Sequence, residues 1–101
     1  MEEKTDPKVA KAGIQLLAMI GATNMLAGDR DELPDVAYKT AAVYLDEAED
    51  ELFCGNVVSA RTHATCAGGT LKWLRVVDPS MPAFLITGVE DAIQALEDLH
   101  D

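Results

Sequence analysis

Apolar positions recur along this chain with the period of a helix, in four blocks separated by proline, glycine and aspartate. The first block runs from about residue 7 to 27. Asp6 suits its N-cap and Pro7 its first turn, and Gly28 with the polar run Asp29-Arg30-Asp31-Glu32 ends it. From Ile14 onward nearly every position is apolar or small, so this helix is predicted to be apolar on more than one face. Such a helix is central, or shared with another chain. Gly13 and Gly21 are expected to admit a close neighbour.

The second block, about 34–53, carries Tyr38, Ala41, Leu45, Ala48 and Leu52 at spacings of three and four residues. Gly55 fits a left-handed helix C-terminus and Asn56 an N-cap. The third block, 57–77, repeats the spacing with Val57, Ala60, Ala64, Ala67, Leu71 and Leu74. So short a turn makes the two blocks an antiparallel hairpin, and the alanines predict close axes. Asp78-Pro79 breaks the chain. A fourth helix is predicted from Ser80 or Pro82 to about Leu99, with Ile86, Val89, Ile93 and Leu96 as its stripe. Thr87-Gly88-Val89-Glu90 matches a capping box and predicts a start or kink near Gly88. Gly68-Gly69 predicts a kink or a close crossing, by the first helix or by another subunit. The fold expected for 1–101 is one all-α domain, a four-helix bundle built around the hairpin.

Composition narrows the core. Apolar residues make up 49% and aromatics only 5%, so Ala, Leu, Val, Ile and Met must fill it. That palette favours helices over sheets. Residues 12–28 are uncharged, but Gln15, Thr23, Asn24 and three glycines make the stretch short and polar for a membrane span. Met1-Glu2-Glu3-Lys4 is too acidic for a signal n-region. Cys54 and Cys66 would lie about 14 Å apart along a helix, too far to bridge. Reduced thiols and a cytoplasmic location are expected.

The chain holds 18 acids and 8 Lys+Arg, a formal charge of -10. That field disfavours direct contact with nucleic acid or anionic lipid. Five of the six residues from Asp46 to Glu51 are acidic. They repel one another and lie toward a helix C-terminus, where the dipole disfavours anions. Solubility accounts for such a face; so does a basic partner. The third block has no acid and carries Arg61, His63, Lys72 and Arg75. Arg61 is expected to pair with the acidic end of the second block.

The hairpin pattern Tyr44, Ala48, Gly55-Asn56, Ala60, Ala64, Ala67 resembles the helix-turn-helix unit of tetratricopeptide proteins. Ala41-Ala42-Val43-Tyr44-Leu45 followed by Gly55, Ala60, Ala67 and Gly68 is also similar to an archaeal family of small helical domains of unknown function. The resemblance spans residues 41–75 and implies a helical hairpin and protein binding. It transfers no catalytic residue.

Catalytic constellations are missing. There is no P-loop, no dinucleotide fingerprint and no serine nucleophile motif. Two Cys and two His lack zinc spacing, and no Glu-x-x-His pair supports a di-metal bundle. His63 and Cys66 share a helix face without an orienting group. No cofactor and no metal are predicted. The expected function is a non-enzymatic protein-interaction module. Its partner, a protein with a basic surface, would be met by Asp46, Glu47, Glu49, Asp50 and Glu51, and self-association would run through Ile14, Leu17, Ile20 and Gly21. Two alternatives are an inhibitor or antidote that mimics nucleic acid, and a phosphocarrier using His63.

Overall fold

The coordinates are those of a computed structural model, which describes residues 6–28 and 32–99. The N-terminal Met1-Glu2-Glu3-Lys4 and the run Asp29-Arg30-Asp31 lie outside the described residues. Four helices follow one another: α1 (Pro7–Leu26), α2 (Leu33–Phe53), α3 (Val57–Val77) and α4 (Phe84–Glu97). Each packs against two neighbours, closing a ring in chain order with α4 against α1. The all-α four-helix bundle expected from the sequence is the fold observed. Among the described residues there is no strand.

Local chemistry sets the helix ends. The Asp6 carboxylate accepts from the Lys8 backbone N–H at 2.8 Å, and Pro7 occupies the first position of α1. At the hairpin Gly55 takes φ +85. Its N–H donates to the Leu52 carbonyl at 3.0 Å, and the Asn56 N–H to the Glu51 carbonyl at 2.8 Å. That pair of bonds is a Schellman closure, which needs the left-handed glycine. Asn56 occupies the N-cap of α3, but its side chain turns back and donates to Glu51 Oε1 at 2.8 Å.

One core joins the four helices. Ala41, Leu45, Ala48, Ala60, Ala64, Ala67, Leu71 and Leu74 are fully buried, so the stripes predicted for α2 and α3 face each other. In α1 the buried residues are Ala12, Gly13, Leu16, Met19 and Thr23. Thr23 satisfies itself by donating its hydroxyl to the Met19 and Ile20 carbonyls. In α4 the buried set is Leu85, Val89, Ala92, Ala95 and Leu96, and the expected Ile86 and Ile93 sit at the border of the core.

The structure gives different reasons for the glycines. α4 starts at Phe84 and runs through Gly88 without a break, so the capping-box reading of Thr87-Glu90 does not hold. Gly88 is where α1 meets α4. A Cβ there would collide with Met19 Sδ, and its carbonyl accepts from Gln15 Nε2 at 2.9 Å. Gly68 faces Val89 and Ile93 of α4, not α1, because α1 is the helix diagonal to α3. Gly69 and Gly21 face open space. Gly13 meets only the Leu52 side chain, at an ordinary 3.9 Å.

Asp35, a residue the hydrophobic pattern passes over, is buried in the first turn of α2. It accepts from the Gly28 N–H at 3.0 Å and so ties the end of α1 to the start of α2. Both cysteines are free and exposed.

Candidate functional site: the shared face of α1 and α2

Helix α1 buries residues 12, 13, 16, 19 and 23, which leaves a second stripe outward: Ile14, Leu17, Ala18, Gly21 and Met25. Ile14 is 67% exposed, Leu17 50% and Met25 87%. The stripe is uncharged throughout, because no charged residue occurs between residues 12 and 28. Ile20 belongs to the core margin and is only partly exposed. Of the four residues expected on a self-association face, Ile14, Leu17 and Gly21 therefore lie on one outer stripe and Ile20 beside it. α1 is also longer than the uncharged stretch. Its 20 residues, with a mean hydropathy of 1.3 over the best window, reach the length and apolarity needed to cross a membrane.

Antiparallel to this stripe runs the second half of α2. Phe53 is 75% exposed at its end. Val9, Ala10, Gly13, Ile14 and Leu17 of α1, with Leu52 and Phe53 of α2, enclose an open apolar hollow of about 210 Å³. Small-molecule sites usually occupy about 300–1,000 Å³. The hollow has the scale of a single inserted side chain. A second, more polar hollow follows along the same groove, between Ile20 and Asn24 of α1 and Lys39, Ala42, Val43 and Asp46 of α2.

Between the two hollows stand the acids, and they do not form one uniform face. Glu47 turns toward α3, where its Oε1 lies 3.6 Å from His63 Nε2. Glu51 accepts from the Asn56 amide in the hairpin turn. Asp46, Glu49 and Asp50 remain. One carboxylate oxygen of each lies within 4.8 Å of the others. Glu49 is half-buried; burial first, then Asp46 and Asp50, push its carboxyl above the usual carboxylate range. Among the described residues no cation pairs with any of the three. The expected Arg61 pair is absent as well: His63 reaches the acidic helix instead, and Lys72 pairs with Glu90 of α4 at 3.0 Å.

His63 is tethered at both ring nitrogens. Nδ1 lies 2.8 Å from the Ser59 carbonyl, which can only accept, so that nitrogen carries the proton. Nε2 faces the Glu47 carboxylate.

No known family model, curated protein or solved structure matches this chain.

Proposed function

We propose that this protein is a non-catalytic interaction module, and that it docks a protein with a basic surface on the shared face of α1 and α2. The observation that carries the reading is a juxtaposition. An uncharged stripe with three large side chains in the open, Ile14, Leu17 and Met25, lies beside three mutually repelling carboxylates that pair with no cation among the described residues. Apolar side chains beside unneutralised charge of one sign are what a complementary surface would cover, since it removes both costs together. The helical-hairpin resemblance of residues 41–75 agrees with protein binding.

The alternatives have less support. A nucleic-acid mimic needs carboxylates strung out like phosphates. Here three converge within 4.8 Å. A phosphocarrier needs a ring nitrogen open to solvent. At His63 an incoming phosphoryl group would meet the charge of Glu47 at Nε2 and a carbonyl at Nδ1.

The test is affinity capture from a lysate of the source organism with the native chain, with Ile14→Glu, and with the triple change Asp46→Asn, Glu49→Gln, Asp50→Asn. A partner recovered by the native chain, lost in both variants and released as salt rises supports the reading. Capture that survives both variants would move the functional surface elsewhere.

A further inference from the structure

The groove between α1 and α2 has a length and a grain that restrict what can lie in it. Its two rims are helices of 20 and 21 residues, so it is straight and about 30 Å long at roughly 1.5 Å per residue. One hollow centres near Gly13 of α1 and the other between Ile20 and Asn24. About nine residues separate their centres, about 14 Å along an axis. A straight groove between two antiparallel helices is where a third helix seats a ridge of side chains repeating every three or four residues. The rims also differ in kind. The α1 rim is uncharged, and at Gly21 nothing lies within 4 Å of where a Cβ would stand, so a third backbone can approach there. The α2 rim presents Asp46, Glu49 and Asp50 between the hollows.

We infer that the occupant of this groove is an amphipathic basic helix of a partner protein, with its apolar side chains in the hollow beside Gly13 and along the α1 rim and Lys or Arg along the α2 rim. The inference rests on the docking face proposed above and adds the partner's form. Charge decides against a second copy seated groove to groove. Among the described residues Lys39 is the cation that lines the groove's hollows, while Lys8 and Lys11 line hollows on the α4 side with Asp91, Glu97 and Asp98. A symmetric pair would therefore bring two uncompensated acid clusters together. A basic helix supplies what the rim lacks. Glu49 fits this picture: a cation beside it would offset the repulsion from Asp46 and Asp50.

The probe is a labelled peptide of about 18 residues, roughly 27 Å as a helix, made of Leu and Lys with leucines at i, i+3, i+4 and i+7. Its companions are a scrambled isomer of equal composition and a Leu/Glu peptide of the same pattern. Binding is read by fluorescence anisotropy at increasing salt, with circular dichroism confirming that each protein variant is folded. The patterned basic peptide should bind at least tenfold tighter than the scrambled isomer, and the acidic peptide should not bind. Ile14→Glu and Phe53→Ala should each weaken it about tenfold. The triple change at Asp46, Glu49 and Asp50 should weaken it as much and flatten its salt dependence. Removing three acids from α4 instead (Asp91→Asn, Glu97→Gln, Asp98→Asn) should leave it within twofold.

If the scrambled and patterned peptides bind alike and both need the three acids, a basic partner stands and the helix is overturned. Binding of neither peptide, or binding indifferent to the groove and acid variants, overturns both the helix and the docking face. A dimer by sedimentation that Ile14→Glu dissolves and the peptide does not compete with makes the occupant a second copy, and the inference fails. It fails too if phosphatidylcholine vesicles take up the native chain and not Ile14→Glu, because the stripe then meets lipid.

Discussion

Glu49 is a carboxylate whose charge the folded state disfavours. Its folded-state carboxyl holds its proton more tightly than the unfolded one, whose ordinary value is 4.5. Unfolding therefore releases a proton in the window that begins near that value, and stability falls as pH climbs through the window toward the raised one. Glu49→Gln removes the titration. The change should raise the melting temperature at pH 7 by about 1–3 °C, from two like-charge pairs of a few tenths of a kcal/mol each. The gain should vanish near pH 3.5, where the native carboxyl is neutral. Calorimetry at the two pH values checks it, and an equal gain at both would remove electrostatics from the account. Gly28 is the opposite case. A Cβ there would stand 2.8 Å from Asp35 Oδ1, and that buried carboxylate is held in place by Gly28's own N–H. Gly28→Ala is expected to cost about 1–3 kcal/mol, the range for disturbing a buried charge-assisted bond. A lower midpoint in urea at unchanged slope is the expected reading.

At the level of the helices, Gly21 and Gly69 face open space and Gly88 does not. Gly21→Ala and Gly69→Ala should each raise stability by about 0.5–1 kcal/mol, because nothing in the bundle occupies the place of the added methyl. Gly88→Ala should lower it, because the methyl meets the buried Met19. Thermal melts of the three variants give the signs, and a loss at Gly21 would mean that α1 is packed on its outer face. These positions also mark what was legible in the sequence. The stripes of α2 and α3 were readable because every core position repeats at three and four residues and a left-handed glycine closes the hairpin. In α1 the repeat is masked, since core and outer stripes are equally apolar. Period alone identifies the helix there and leaves open which stripe turns inward. The acidic run was legible as a cluster but not as three separate destinations. Glu47, Glu51 and the trio of Asp46, Glu49 and Asp50 part company only once α3 and the turn are in place. Asp35 and the Gly88–Met19 contact were invisible for a related reason: each joins residues that only the tertiary fold brings together.

Across the whole molecule, the charge of -10 and the local acid cluster make different predictions. If stability is limited by overall self-repulsion, any three carboxylates removed should help equally. The structure says otherwise. Asp91, Glu97 and Asp98 share hollows with Lys8 and Lys11, so each has a cation nearby. Asp46, Glu49 and Asp50 crowd within 4.8 Å of one another, and only Asp46 shares a hollow with a cation, Lys39. Neutralising the α2 trio should therefore raise the melting temperature by about 2–6 °C at low salt, on two or three unfavourable pairs of a few tenths of a kcal/mol each. Neutralising the α4 trio should leave it unchanged or lower it slightly, since exposed pairs contribute about 0–1 kcal/mol. The α2 gain should fade between about 10 mM and 0.5 M salt, as the screening length shrinks from roughly 30 Å to a few ångströms. Melting curves of both triple variants at the two salt levels decide the matter. Equal gains would make the acidity a property of the whole surface, and the groove beside α2 would lose its claim to be the place where that charge is used.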